Sequence, residues 1–182
     1  MKKVLIPVTN HDTLGNTEKP NGTYSPELTH VVDVLVKAGI DYDIASITGG
    51  KAPLYGTDIE DDDVNNQILG DESFQNRINN TIPVSQVNIE DYDGVFYPGG
   101  FGLLSDLAQN ADFAALSAQH YEAGGLLAAV CHGPAALLPI AMSNGESLLS
   151  TKSITGFTRE EEIDFGTIND VPFLMEEALT RQ

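Results

Sequence analysis

Hydrophobic and polar positions follow two alternating patterns along most of this chain. Short apolar runs typical of buried strands lie at residues 4–9, 42–47 and 94–97. Residues 26–38 instead have apolar side chains three and four positions apart, which predicts an amphipathic helix that ends at Gly39. Because strands and helices alternate, the pattern predicts βαβ units and a mainly parallel sheet covered on both faces.

The remaining elements continue this alternation. Further helices are predicted at residues 73–79, 111–123, 133–141 and 172–180. Further strands are predicted immediately before Cys131 and at residues 153–155. Residues 48–71 are irregular and acidic, so we expect an excursion from the core there.

The only cysteine of the chain stands at a boundary between two predicted elements. An apolar run stops at Cys131, and His132, Gly133 and Pro134 follow as the next helix begins. This order predicts a strand, a sharp turn and a helix start, which together form a nucleophile elbow. A helix N-terminus favours negative charge, so we expect the thiol to ionise near neutral pH and act as a nucleophile. An inert buried cysteine is the alternative.

Composition limits the classes of function that fit the chain. With 27 acidic and 9 basic residues, the formal net charge of −18 argues against nucleic acid and anionic membranes as partners. One cysteine forms no internal disulfide, which predicts a reducing compartment, the cytoplasm. The four histidines lack metal-ligand spacing, and no phosphate-binding glycine motif is present. We therefore expect neither a metal nor another cofactor.

Three separate segments carry a resemblance to a known family. They are the elbow at residues 129–134, the Tyr-Pro-Gly-Gly sequence at 97–100 and the Ser-Ile-Thr-Gly-Phe-Thr sequence at 153–158. Together they resemble the ThiJ/PfpI superfamily, and within it the heat-shock chaperone-like branch that includes the glutathione-independent glyoxalases (glyoxalase III). The resemblance covers nearly the whole chain and implies a flavodoxin-like three-layer α/β sandwich of the class I glutamine amidotransferase-like type.

The resemblance also implies roles for four side chains. Cys131 matches the family's nucleophile, His132 its adjacent general acid/base, and Glu27 an acidic residue that approaches the sulfur from the first helix. A protonated Glu27 would donate a hydrogen bond to the thiolate. A carboxylate that follows the Gly-Phe-Thr sequence orients the histidine, and counting along the chain points to Glu162. The register among the three glutamates at residues 160–162 stays open.

Backbone groups near the cysteine are the predicted substrate contacts. Gly99 and Gly100 would offer amide groups as an oxyanion site, and Gly133 of the elbow is assigned to the same region. Phe101 stands where the branch usually has histidine, which predicts a more apolar site.

The resemblance further predicts how chains associate. Family members continue beyond the last predicted helix with further strands and a closing helix, whereas this chain stops at Gln182. We expect one ThiJ/PfpI-like domain over residues 1–182 that lacks the usual C-terminal strands. An open sheet edge invites pairing with another chain, so a homodimer is expected.

The leading functional hypothesis is an enzyme that converts a 2-oxoaldehyde such as methylglyoxal to a hydroxy acid without glutathione or a cofactor. Cys131 would attack the aldehyde carbon, and His132 would move a proton through an enediol-like species. A cysteine amidase or peptidase of the glutamine amidotransferase-like class is one alternative. A protein without catalysis, acting as a redox sensor or a chaperone, is the other.

Overall fold

Short parallel strands form the framework of the computed structural model, which describes residues 2–182. The strands are β1 (Lys3–Pro7), β2 (Thr23–Tyr24), β3 (Asp41–Ser46), β4 (Leu54–Tyr55), β5 (Ile82–Pro83), β6 (Gly94–Tyr97) and β7 (Leu126–Ala129). Five of them make one sheet in the order β5-β3-β1-β6-β7, and β2 pairs with β4 in a separate small sheet. Every pairing between these strands is parallel.

Helices cover the two faces of the large sheet. They are α1 (Ser25–Lys37), α2 (Asp63–Leu69), α3 (Glu72–Asn79), α4 (Gly102–Ser105), α5 (Ala111–Glu122), α6 (Arg159–Asp164) and α7 (Met175–Thr180). Short 3₁₀ helices lie at Val84–Gln86, Ile89–Asp91, Leu107–Gln109 and Gly133–Leu137. The predicted fold class, an α/β flavodoxin-like sandwich with a mainly parallel sheet, is confirmed.

Neighbouring residues of the central strand β1 enter two different cores. Leu5 belongs to the core that contains Phe113 of α5, whereas Ile6 belongs to the core that contains Leu28 of α1 and Phe74 of α3. Successive side chains of a strand point to opposite faces, so an uninterrupted apolar run is what a sheet covered on both sides requires. The run at residues 4–9 predicted this strand for that reason.

The first helix of the acidic excursion was not predicted. Residues 48–71 contain α2, which begins after Asp62, whose side chain accepts a hydrogen bond from the Asn65 amide and so caps the helix. The buried positions of α2 are Asn65 and Ile68. Because a polar residue occupies one of the two buried positions, the apolar spacing that reveals a helix is missing from the sequence.

The helix predicted at residues 133–141 is wrong in both length and type. The structure has a 3₁₀ helix over Gly133–Leu137, and the chain then turns away. Pro139 explains the early end, because it lacks an amide hydrogen and its ring would clash with the carbonyl four residues earlier. The elbow is therefore followed by less than two turns of 3₁₀ helix.

The strand predicted at residues 153–155 is also wrong. These residues are exposed and irregular, and they pair with no strand of residues 2–182. The hydrogen bond that ties this segment to the elbow comes just after it, from the Phe157 amide to the Cys131 carbonyl oxygen at 3.2 Å. A β-branched sequence favours a strand only where a partner supplies the ladder. The last helix starts at Met175 rather than at residue 172.

Candidate active site

Cys131 has a backbone conformation that sets it apart from its neighbours. It is the only residue other than glycine with a positive φ, 57°, in the described part of the chain. Such a conformation is strained for a residue with a Cβ and recurs at functional sites. It turns the chain sharply after β7, and the turn is closed by a hydrogen bond from the Gly133 amide to the Val130 carbonyl oxygen at 2.7 Å.

Two glycines make room for this turn. A Cβ on Gly133 would overlap the carbonyl oxygen of Tyr97 at the end of β6. A Cβ on Gly99 would overlap Oε2 of Glu27 and lie 2.6 Å from Cβ of Cys131. The elbow therefore packs directly against the loop after β6, and glycine is required at both contact points.

Glu27 reaches the cysteine from the first turn of α1, as the sequence analysis expected of it. Its Oε2 accepts a hydrogen bond from the Gly99 amide at 2.8 Å. That amide is consequently occupied, and the expectation that Gly99 offers it to an oxyanion is corrected. The backbone amides of Gly100 and His132, by contrast, are directed at the Cys131 sulfur, where they lower the pKa of the thiol.

His132 links the cysteine to Glu162. Its Nδ1 lies 3.4 Å from Sγ of Cys131, and its Nε2 lies 2.8 Å from Oε1 of Glu162. His132 and Glu162 are buried, with 0% and 1% of their surfaces exposed. Of the three consecutive glutamates, Glu162 is the one brought to the imidazole. Glu161 is exposed and completes a capping box with Thr158 at the start of α6.

Aromatic rings surround the imidazole. The ring of Phe157 stacks on that of His132 with centroids 4.2 Å apart, and the ring of Phe101 lies 4.5 Å from it at an angle of 45°. Phe101 is 7% exposed, so a buried phenyl ring occupies the position where the branch usually has histidine. This side of the imidazole is therefore lined by apolar rings.

The expectation that the thiol ionises easily is wrong. Burial, followed by the charge of nearby Glu27, raises the pKa of Cys131 to about 12. The amides of His132 and Gly100 lower this pKa, but they do not offset burial and a neighbouring carboxylate. Burial likewise raises the pKa of Glu27. Since both groups resist a negative charge, the pair favours holding one proton between them, on sulfur or on oxygen.

Two tyrosines beside the site were missed by sequence reasoning. Tyr24 and Tyr55 come together because β2 pairs with β4, and their ring centroids are 5.0 Å apart. Tyr55 in turn lies 6.4 Å from the ring of Phe101. Burial is the main cause that raises the pKa of both phenols, and the charges of Cys131 and Glu27 raise both further. No sequence signal identified them, because each lies in a two-residue strand.

A cavity of 420 Å³ opens beside the sulfur. Its lining is mostly apolar and comes from the end of β7, the elbow and the irregular segment that follows: Ala129, Val130, Cys131, Pro134, Thr155, Gly156, Phe157 and Glu161. A cavity of this volume has room for a small molecule beside the sulfur.

Among residues 2–182, no group of three or more His, Cys, Asp or Glu side chains is arranged to hold a metal ion. None of the helices in this range is long and apolar enough to cross a membrane.

Taken together, these groups support covalent chemistry at sulfur. Cys131 is the predicted nucleophile, Glu27 lies beside its sulfur as a candidate proton acceptor, and His132 is the predicted second acid/base, whose Nε2 contacts Glu162. A nucleophile, a base within reach and a group that orients the base are what covalent catalysis by cysteine requires. The roles of these residues remain a prediction.

The chain matches the model of one protein family and is similar to several named proteins. The model of the DJ-1/PfpI family matches residues 20–165. Glyoxalase 3 of Candida albicans is 33% identical over 170 residues, which span 87% of this chain and 70% of that protein. The glutathione-independent glyoxalase HSP31 of Saccharomyces cerevisiae is 31% identical over 176 residues, spanning 91% of this chain and 72% of that protein.

Solved structures show the same similarity. Rapid Encystment Protein 24 KDa of Francisella tularensis superposes with a TM-score of 0.93 at 34% identity, over 100% of this chain and 81% of that one. Glyoxalase III from Candida albicans superposes with a TM-score of 0.84 at 26% identity, over 99% of this chain and 80% of that one.

Proposed function

Because the chain belongs to the DJ-1/PfpI family, we propose that it is a glutathione-independent glyoxalase that hydrates and isomerises a 2-oxoaldehyde, such as methylglyoxal, to a 2-hydroxy acid. The curated relatives that match most of its length carry that activity in their names. Cys131 is the nucleophile of this proposal, with Glu27, His132 and Glu162 as its proton-handling and orienting groups.

The first step forms a carbon–sulfur bond. Glu27 takes the proton of Cys131, and the thiolate adds to the aldehyde carbon of the substrate. The carbonyl oxygen becomes an alkoxide, which takes up a proton to give a hemithioacetal. The transfer also neutralises Glu27, whose charge is the second cause, after burial, that raises the pKa of the Cys131 thiol.

The second step moves hydrogen between two carbons. A base removes the hydrogen of the hemithioacetal carbon as a proton, and the adjacent ketone oxygen is protonated to give an enediol. A proton then returns to the second carbon while the hydroxyl on the first carbon loses its proton, which leaves a thioester and a hydroxyl group. The first carbon is oxidised and the second is reduced, so no outside oxidant is required. Nδ1 of His132 is the base that we assign to this transfer.

The last step releases the product. Water attacks the thioester carbonyl, the carbon–sulfur bond breaks, and the thiolate leaves and regains a proton. In the overall reaction, the 2-oxoaldehyde and one water molecule give the 2-hydroxy acid. The amide of Gly100 is our candidate for stabilising the oxyanion that forms at this carbon.

The observation that carries the proposal is the position of the Cys131 sulfur. It lies 3.4 Å from Nδ1 of His132, while a carboxylate fixes the far nitrogen of the same ring. The surrounding structure holds Cys131 in a strained backbone conformation of the kind that recurs at functional sites. An inert buried cysteine needs neither the strain nor the two acid/base neighbours.

The test is lactate formation from methylglyoxal in the absence of glutathione. Wild type is compared with Cys131→Ser and Glu162→Gln, and with Glu160→Gln as a control, since Glu160 is exposed on the same helix. We expect no turnover from Cys131→Ser, a fall of about 100-fold or more for Glu162→Gln, and unchanged activity for Glu160→Gln.

Other outcomes would reject the assignment. Lactate formation that survives Cys131→Ser would remove the sulfur from the reaction. Cysteine-dependent hydrolysis of peptide or amide substrates without any turnover of aldehydes would favour the amidase alternative.

Association of two copies is a second part of the proposal. β7 is the last strand of the large sheet, and Leu126 at its start is 73% exposed. Edge strands present unpaired backbone groups to a further strand. We infer that two chains pair through this edge. Light scattering tests the inference with wild type and Leu126→Lys, which places a charge on this exposed edge, and a monomeric wild type at micromolar concentration would contradict it.

The cytoplasm is the compartment that we propose. The support is chemical: the chain has one cysteine, and the reaction needs that thiol reduced. Fractionation of cells that produce the protein tests the assignment.

A further inference from the structure

Thr167 contacts the side of Glu162 that faces away from the imidazole. Its hydroxyl donates a hydrogen bond to Oε2 of Glu162, while Oε1 of the same carboxylate faces Nε2 of His132. Thr167 is 8% exposed and Glu162 is 1% exposed. A buried carboxylate is stable as an anion only where hydrogen-bond donors replace the lost water. Each oxygen of this carboxylate has one protein partner.

The chain reversal after α6 brings Thr167 to this position. Gly166 has a φ of 70° and follows the helix. The Gly166 amide donates to the Ile163 carbonyl oxygen at 3.0 Å, and the Thr167 amide donates to the Glu162 carbonyl oxygen at 2.9 Å. These two hydrogen bonds define a Schellman motif, in which the residue after the glycine returns to the third residue from the helix end.

The side-chain contact within this motif is unusual. The two positions that a Schellman motif brings together usually hold apolar residues. Here they hold Thr167 and Glu162, which are joined by a hydrogen bond instead. The motif that ends α6 thus supplies a hydroxyl donor directly to the carboxylate that contacts His132.

This donor affects which nitrogen of His132 carries the proton. When Glu162 is ionised, it accepts from Nε2–H and leaves the lone pair of Nδ1 directed toward Cys131. When Glu162 is protonated, it donates to Nε2, and the proton of the neutral ring moves to Nδ1. A hydroxyl that donates to Oε2 favours the ionised form, because a hydrogen bond to a charged acceptor is stronger than one to a neutral acceptor.

We propose that Thr167 is a positioning residue of the reaction, whose hydroxyl holds Glu162 as an oriented anion and thereby keeps Nδ1 of His132 free to accept a proton beside Cys131. The inference rests on the proposed function for its kinetic consequence. Its structural consequence, the tautomer of His132, does not depend on any substrate.

The experiment compares three variants. Thr167→Val keeps the shape and removes the hydroxyl, Thr167→Ala removes it without adding bulk, and Thr167→Ser retains it. We expect kcat for methylglyoxal to fall about 10- to 100-fold in the first two, with KM changed less than about threefold. We expect Thr167→Ser to stay within about threefold of wild type. Thermal unfolding identifies the variants that are folded under assay conditions.

The second readout is the tautomer itself. Long-range proton–nitrogen correlation spectra of protein labelled with ¹⁵N-histidine report which ring nitrogen of His132 is protonated, and His132→Asn identifies its signals. We expect protonated Nε2 in wild type and Thr167→Ser, and a shift toward protonated Nδ1 in Thr167→Val or Thr167→Ala.

The two readouts separate the inference from the proposed function. A His132 tautomer that is the same in wild type, Thr167→Val and Thr167→Ala would overturn the inference, whatever the activity. An equal loss of kcat in Thr167→Ser and Thr167→Val would also overturn it, since the hydroxyl would then be irrelevant. If wild type converts no aldehyde, the proposed function fails, and the spectra still decide the role of Thr167.

Discussion

The carboxylate of Glu27 accepts a hydrogen bond from the Gly99 amide, with 2.8 Å between Oε2 and the nitrogen. This bond joins the first turn of α1 to the loop after β6, next to the elbow. The same glycine lies against Cys131, so both reactive side chains pack against one small residue. The relative placement of these two reactive groups therefore depends on the absence of a side chain at position 99.

We predict that Gly99→Ala abolishes activity and lowers stability. The new Cβ would overlap Glu27 and lie 2.6 Å from Cβ of Cys131, and overpacking of this kind costs roughly 1–3 kcal/mol. Urea unfolding and the lactate assay measure the two effects. Gly70→Ala is the matched control, since its Cβ would meet nothing closer than 3.5 Å. Equal stability of the two variants would contradict the prediction.

We predict that Glu27→Gln makes the thiol easier to ionise while it impairs turnover. The charge of Glu27 is the second cause, after burial, that raises the pKa of Cys131 to about 12. Removing that charge moves the midpoint of iodoacetamide alkylation to lower pH, and it also removes the acceptor of the thiol proton. The pH dependence of alkylation checks the first effect and kcat the second. An alkylation midpoint at higher pH in Glu27→Gln than in wild type would contradict the prediction, because it would show that Glu27 stabilises the thiolate.

The raised pKa of Glu27 also predicts a dependence of stability on pH. Burial raises the pKa of Glu27 in the folded protein above 4.5, its value in the unfolded chain, so the folded protein binds the Glu27 proton more tightly. This tighter binding adds to the free energy of unfolding. The contribution is complete below pH 4.5 and is lost as the pH rises through the pKa of Glu27 in the folded protein. Glu27→Gln should therefore unfold at higher denaturant concentration than wild type at pH 7, with a smaller difference at pH 4. Glu160→Gln, at an exposed position of α6, is the control variant.

We predict that Asn65→Leu destabilises the chain by about 3 kcal/mol. The buried amide of Asn65 accepts hydrogen bonds from Ser25 and Thr29 of α1 and donates one to the Gly56 carbonyl oxygen. Leucine would leave all three partners without a bond, and unpaired buried polar groups are costly. Asn66→Ala, at an exposed position of the same helix, should cost less than about 1 kcal/mol. Urea unfolding of both variants measures the difference.

Asn65 also explains why part of the fold was hidden in the sequence. Apolar periodicity predicted β1, β3, β6, α1 and α5 to within two residues at each end, because those elements bury apolar side chains. α2 instead buries an asparagine whose partners lie on α1 and near Gly56. A polar residue at a buried position signals a helix only once its partners are known.

The residues of the candidate site likewise differ in how far the sequence could predict them. The order of strand, cysteine, histidine, glycine and proline is local, so the sequence by itself determined that Cys131 stands at a sharp turn with His132 beside it. The family resemblance further pointed to Glu27 and Glu162, and the structure brings both to the site. No sequence signal identified Thr167, Tyr24 or Tyr55. They lie near the site only because other elements, distant in sequence from the elbow, place them there.

The chain's own pattern therefore determined the alternation of strands and helices, the doubly covered parallel sheet and the position of the elbow. These features depend on residues close together in sequence. Only the tertiary structure decided that the thiol is partly buried beside a carboxylate and that its pKa is raised rather than lowered. Desolvation and charge at a single atom depend on groups that distant segments bring around it, and local sequence does not encode that environment.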